Sequence, residues 1–300
     1  MSNFNFELKP ATKEAVPPLI GLWGKSGSGK TYSALLLARG IVGPKGRIAF
    51  IDTENGRAKF YADVAGGWEH LALDPPFSPD KYSAAFKFCE DNGADIIIVD
   101  SMSHVWEGEG GVLDIADAKG GHGLLKWKAP KMAHKRMMNN LIRSRLPVIF
   151  CLRAKDATKQ VGKDIVSVGW QPIAEKNFVF EMTVDLHMTE DGHYDLETSK
   201  TLPAELRGVF VKGGQITEEI GAEVAAWCGA GEQQDEVYEK LKRDGVDAAT
   251  QGVDAYKKWV GKLTAKQKPK LKKHHAEWTA MAKAADAEKS DEPEEEETSL

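Results

Sequence analysis

The chain has 300 residues, and at roughly 150 residues per domain that length allows about two domains, or one large domain with an appendage. Apolar residues make up 42%, charged residues 28%, and the net charge is −5, an ordinary soluble composition with room for a sizeable core. Three scattered cysteines (Cys89, Cys151, Cys228) exclude a disulfide framework or a zinc site and fit a reducing cytoplasm, while the N-terminus has no basic-then-apolar leader and no apolar run nears the roughly 20 residues of a membrane span.

Residues 1–17 are polar and read as a loose arm. The run 19–23 (LIGLW) predicts a buried strand, residues 24–31 a glycine-rich turn, and 32–39 (YSALLLAR) a helix stopped at Gly40. Residues 47–52 (RIAFID) predict a second strand and 68–73 (WEHLAL) a third. Ser78 followed by Pro79 is an N-cap with proline at the first helical position, opening a helix that runs to about Asp91. Two more apolar runs, 96–100 (IIIVD) and 148–152 (VIFCL), predict buried strands around a helical stretch, 124–145, interrupted at Pro130. Continuous β-branched runs alternating with helices imply an α/β fold with a mainly parallel sheet covered on both faces.

After residue 178 the pattern changes. Stretches 179–188 and 194–198 flank Asp191-Gly192, a hairpin signal, so antiparallel strands are expected there. Residues 208–212 predict one more strand, and a helix follows over about 218–228. The expected domains are therefore an α/β domain over 18–228, a linker at 229–235, a small helical module of two or three helices over 236–284, and a disordered acidic tail over 285–300. Residues 286–300 hold eight acids and one lysine, a net of −7, so the remaining 285 residues sum to +2.

Gly24, Lys25, Ser26, Gly27, Ser28, Gly29, Lys30 and Thr31 match G-x-x-x-x-G-K-[ST] in full, between an apolar strand and a helix. The glycines let the backbone curl its N–H groups onto phosphate oxygens, and the following helix presents its positive end to the same anion. Lys30 is placed to bridge the β- and γ-phosphates of ATP, and the Thr31 hydroxyl to ligate Mg²⁺. Asp100 ends a buried strand at the ligand edge of such a sheet, a second metal-shell candidate. Asp52 ends another, with Glu54 two residues later.

A P-loop, a strand ending F-I-D-x-E and a strand ending I-V-D-S resemble the RecA-type branch of P-loop ATPases. The chain is similar to the small RecA-like ATPases of bacteriophages that accompany single-strand annealing. The resemblance covers about residues 18–215 and implies ATP and Mg²⁺ as ligands, with Glu54 activating the attacking water. In AAA+ proteins the base instead usually follows the Walker B aspartate, where this chain has Ser101. RecA has a sensor glutamine after the next strand; this chain has Arg153, which either contacts the γ-phosphate or is an exposed basic residue.

The resemblance further implies single-stranded DNA against two loops, here about 103–123 and 154–172. The second contains Lys155, Lys159, Lys163 and Trp170. Residues 119–145 carry Lys119, Lys126, Lys128, Lys131, Lys135, Arg136, Arg143 and Arg145, with Trp127 and no acid, a pattern that suits a strand whose phosphates are neutralised and whose bases stack. Residues 257–275 hold eight lysines, no acid and the pair His274-His275, read as basic surface. The leading expectation is a DNA-stimulated ATPase of phage recombination, a homo-oligomer on DNA with Lys200 or Arg207 as candidate cations acting on a neighbour's site. A single-strand-binding protein or nuclease is a further partner, and no membrane is expected. The rivals are a helicase or helicase loader, and a nucleotide-controlled switch without a DNA role.

Overall fold

The computed structural model describes residues 16–118, 125–229, 236–264, 268–271 and 274–290. The chain forms two compact units, Ala15–Gly231 and a second that includes Glu232–Leu300. Most of the predicted arm, most of the linker and the end of the acidic tail lie outside the described residues.

In the first unit, β1 (Leu19–Gly24) leads through the P-loop into α1 (Lys30–Val42), followed by β2 (Ile48–Asp52), β3 (Glu69–Ala72), α2 (Pro79–Asp91) and β4 (Ile96–Asp100). Then come α3 (His104–Glu107), α4 (Val112–Ala118), α5 (Leu125–Ile142), β5 (Val148–Val161), β6 (Asp164–Pro172), β7 (Val184–Met188), β8 (Tyr194–Asp195) and α6 (Glu218–Gly229). The strand order is β3-β2-β4-β5-β1-β7-β8, with β6 pairing only to β5. All contacts along this path are parallel except β7–β8. It is a mostly parallel α/β sheet.

Alternation along each strand feeds two cores. Leu19, Trp23, Ala49, Ile51, Ile97, Val99, Phe150 and Leu152 pack with α2 and α5 on one face. Ile20, Leu22, Ile48, Phe50, Ile96, Ile98, Ile149 and Cys151 pack with α1 and α6 on the other. A strand buried on both faces has no polar side, which is why these segments read as unbroken apolar runs.

The structure corrects several expectations. Helix α1 continues through Gly40 to a cap at Gly43 (φ 72°). Gly40 is a packing residue, because a Cβ there would stand 1.9 Å from the Glu218 carbonyl oxygen of α6. Helix α5 runs without a break past Pro130, whose ring is buried. The stretch 103–123 is not one open loop, since it folds into α3 and α4 up to Ala118. Residues 178–181 form a 3-10 turn, and β7 pairs parallel to β1, so the antiparallel pairing of the expected hairpin is confined to the short β7–β8 contact. No strand forms at 208–212; a 3-10 turn spans Ala204–Gly208 instead.

The largest correction is at 154–172, read as a loop. β5 leaves the sheet after Arg153, and pairs antiparallel with β6 from Ala154↔Pro172 to Val161↔Asp164. The turn is Gly162-Lys163, with Gly162 at φ 65°. Apolar residues at 165, 166 and 168 are exposed because the ribbon stands off the sheet.

Asp185 on β7 fixes the far side of β1. It is fully buried, and its Oδ2 accepts the Trp23 indole N–H at 3.1 Å. Its Oδ1 accepts the backbone N–H groups of Lys200 and Thr201 at 2.6 Å each, and the Thr201 hydroxyl at 3.0 Å. Asp185→Ala should lower unfolding stability by about 3 kcal/mol, because four donors lose one buried acceptor. A denaturant titration measures it, and a loss below about 1 kcal/mol would contradict this account.

The second unit contains α7 (Glu236–Thr250), α8 (Val253–Lys262), α9 (Lys268–Leu271) and α10 (His275–Ser290). Its core holds Ala249, Tyr256, Leu271, Trp278 and Ala282, with Trp259 and Leu263 packed against it. The histidine pair serves this core: His274 stacks on Trp278 at 5.0 Å, and the Tyr256 hydroxyl meets His275 Nδ1 at 2.8 Å. α10 runs into the expected tail, and Asp286 accepts the Val253 N–H at the start of α8.

Candidate nucleotide site

Every group of this site stands at the same edge of the sheet, where β1, β2, β4 and β5 end. Gly24 needs its missing side chain, since a Cβ would lie 2.2 Å from the Met188 carbonyl oxygen. Gly27 and Gly29 adopt φ 83° and 81°, left-handed conformations that favour glycine, and Gly29 caps α1. Lys30 is buried and donates to the carbonyls of Gly24 (3.0 Å) and Lys25 (2.7 Å) and to Ser28 Oγ (3.5 Å). Burial lowers its pKa, opposed by the charges of Asp100 and Glu54. The ammonium is thus held by neutral oxygens, in a place where an anion would suit it better.

Asp100 accepts the Thr31 hydroxyl at 2.6 Å. Burial pushes its pKa up to about 6, against the lowering effects of Thr31 and Lys30. A buried carboxylate beside an alcohol oxygen is a hard-oxygen pair suited to Mg²⁺, which would relieve the destabilised anion. These two residues would hold the ion.

Asp52 does not face the same task. Its Oδ1 accepts the Glu54 N–H at 2.7 Å and its Oδ2 lies 3.0 Å from His70 Nε2, so it builds the turn that presents Glu54. Glu54 is paired to Arg153 through both carboxylate oxygens, with Nε to Oε1 at 2.9 Å and Nη2 to Oε2 at 2.6 Å. Glu54 holds the Arg153 guanidinium more firmly protonated through these bonds. Ser101, the position after Asp100, is fully buried and its hydroxyl donates to the Cys151 carbonyl at 3.3 Å, so it is not available as a base.

A cavity of about 430 Å³ collects Gly27, Gly29, Lys30, Thr31, Glu54, Asp100 and Arg153 into one site. Arg57, Phe60 and Tyr61 close its outer wall. A model of the AAA domain family matches residues 17–217. The chain belongs to that family. It is an AAA-type P-loop ATPase domain, and no curated protein matches the sequence. Among solved structures, an ATPase from the type III secretion system of pathogenic bacteria aligns with 65% of this chain and 62% of its own, at 12% identity and a TM-score of 0.40. The chain therefore spans less than two thirds of that ATPase's length.

The remaining sequence candidates in this AAA domain lie away from the cavity. Lys128, Lys131, Lys135 and Arg136 are exposed on α5, opposite its buried residues His134, Met137, Met138 and Leu141. Lys126 pairs with Asp117 of α4 at 2.8 Å, so the acid-free run in sequence is not acid-free in space. Lys119 lies outside the described residues. Lys159 and Lys163 are exposed on the β5–β6 ribbon, and Trp170 lies on β6 with the Lys25 ammonium 4.3 Å from its ring centre. Lys200 and Arg207 are exposed.

One residue at the site escaped the sequence reading. His104 Nδ1 lies 2.8 Å from Thr53 Oγ1, and its Nε2 lies 3.8 Å from Glu54 Oε1. Its ring packs at 4.9 Å from Phe77, and burial lowers its pKa. A lone histidine four residues after a Walker B aspartate carries no signal in sequence; only β2 and β4 being neighbours brings it to Glu54.

Proposed function

We propose that this ATPase acts on single-stranded DNA as a recombination or annealing protein of bacteriophage type. Protomers assemble along the strand in the ATP-bound form, and hydrolysis resets their affinity. Lys30 and the P-loop N–H groups bind the triphosphate; Thr31 and Asp100 would hold Mg²⁺, which would supply charge neutralisation there. Glu54 accepts the proton of a water whose oxygen bonds to the γ-phosphorus as the β–γ bridging bond breaks.

The observation that carries the DNA reading is the β5–β6 ribbon. It presents Lys155, Lys159 and Lys163 to solvent while its two ends rest on the nucleotide site, through Arg153 on β5 and Trp170 on β6. A cationic, partly aromatic ribbon suits phosphates and unstacked bases. The basic face of α5, with the Lys126 and Lys131 ammonium groups 5.4 and 5.8 Å from the Trp127 ring centre, is a second surface of the same chemistry. The test is ATP turnover with and without oligothymidylate, with Lys30→Ala as the inactive control. Acceleration by DNA is the expected result; no acceleration and no DNA binding would leave the nucleotide-switch reading.

The acidic tail supports a further expectation. It shares the sign of DNA phosphates and, being tethered, stays at high effective concentration near the lysines. Because Asp286 caps α8, the informative truncation ends at Ser290 and leaves the helical unit whole. That variant should bind oligothymidylate more tightly than the full chain at low salt, with the difference vanishing as salt screens the tail. Equal affinities across a salt series would assign the tail to solubility or to a single-strand-binding protein or nuclease partner.

A further inference from the structure

Arg153 occupies the one position where the sheet becomes the ribbon. It is the last residue of β5 paired with β1, opposite Gly24, and Ala154 next to it is the first paired with Pro172 of β6. Its backbone is fixed on both sides: its N–H donates to Ser103 Oγ at 2.9 Å, and its carbonyl accepts the Ile173 N–H at 2.8 Å. Its side chain reaches back across β4 to Glu54, 99 residues earlier, and takes both carboxylate oxygens.

A base in that state is out of service. Each oxygen of Glu54 already accepts a charge-assisted N–H from the guanidinium. When the guanidinium leaves, the His104 ring at 3.8 Å remains beside Oε1 to keep the carboxylate oriented. The pair is partly open, with the Glu54 side chain 21% and the Arg153 side chain 42% exposed, so its strength is moderated by solvent and the contact is reversible.

We propose that Arg153 is a positioning residue for the base: it holds Glu54 idle, and a strand seated on the β5–β6 ribbon draws it away and starts hydrolysis. This rests on Glu54 being the base and on DNA being the ribbon's ligand. The ribbon's attachment supports the coupling, because its first paired residue, Ala154, directly follows Arg153, and Trp170 on β6 holds the Lys25 ammonium of the P-loop 4.3 Å from its ring centre. The alternative role, contact with the γ-phosphate, makes the opposite prediction for the same variant.

The experiment measures steady-state ATP turnover and the affinities for a non-hydrolysable ATP analogue and for ADP, in native protein and in Arg153→Ala. The expected result is a DNA-independent rate about three- to tenfold above native, the scale of one solvent-screened charge-assisted contact. The affinity ratio of analogue to ADP should be unchanged, and oligothymidylate should add nothing further. Arg153→Lys keeps the charge, loses the two-pronged contact and should fall between the two; it carries the test if the alanine variant does not fold. A rate at or below native, or a selective loss of affinity for the ATP analogue, would overturn the proposal. Two controls separate it from its premises. If native protein is not stimulated by oligothymidylate, the DNA reading fails while the direction of the Arg153→Ala change still decides the latch. Full turnover in Glu54→Gln removes the base assignment itself.

Discussion

Glu54→Gln is expected to bind ATP with near-native affinity and to hydrolyse it roughly 10²- to 10⁴-fold more slowly, the range in which a positioned general base contributes. The amide keeps the size and shape of the carboxylate, and still offers Arg153 one oxygen acceptor in place of two. It cannot take a proton from water. The Asp52 carboxylate that shapes this turn accepts the backbone N–H of residue 54 and is untouched by the change. Loss of turnover with retained binding therefore isolates the chemistry from the architecture. The competing position for a base, directly after the Walker B aspartate, is Ser101, which is buried and engaged with the Cys151 carbonyl. Ser101→Ala should therefore leave Glu54-dependent turnover within a few-fold of native. If Glu54→Gln hydrolyses ATP normally, the base lies elsewhere and the RecA-type reading of this strand fails. Binding is measured by calorimetry with the non-hydrolysable analogue, and turnover by phosphate release.

The parts of this protein that were legible in its sequence are those whose structure is decided locally. Ile96, Ile97, Ile98 and Val99 have no polar side to turn to solvent, so they fit only a strand covered on both faces. The P-loop is equally local: its glycines are needed within eight consecutive residues, between a strand and a helix that the flanking sequence already specifies. The β5–β6 ribbon was hidden for the converse reason. Val166, Val168 and Trp170 alternate as in a strand, and Gly162-Lys163 sits at a two-residue turn, but lysines and glycines spread through the stretch read as a loop. β7 pairs antiparallel with its sequence neighbour β8, as the hairpin signal implies, but it also pairs parallel with β1, more than 150 residues earlier, through hydrogen bonds that carry no sequence signature. The contacts of Glu54 with Arg153 and His104 belong to the same class. Each side chain is an unremarkable charge or ring in its own segment, and the constellation exists only because β2, β4 and β5 end side by side.

Lys30→Ala should abolish measurable turnover and weaken nucleotide binding, with a loss in rate of at least about 10²- to 10³-fold, the scale of removing one preorganised electrostatic donor. The residue has two tasks. Without nucleotide its ammonium ties the P-loop to itself through the Gly24 and Lys25 carbonyls and Ser28 Oγ. Those are neutral acceptors around a buried cation whose pKa burial has lowered, so the arrangement costs desolvation that a polyphosphate would offset. The same charge is then the one placed to counter negative charge developing between the β- and γ-phosphates. Alanine removes both roles, and the two are separable by measurement. A thermal melt without nucleotide reports the loop's loss of its internal tie. The stabilisation gained on adding ATP reports the lost phosphate contact, and it should largely disappear. Lys30→Met, which keeps the length of the buried stem without the charge, should match alanine in turnover. Native-level hydrolysis in either variant would show that the phosphates are not bound at this loop.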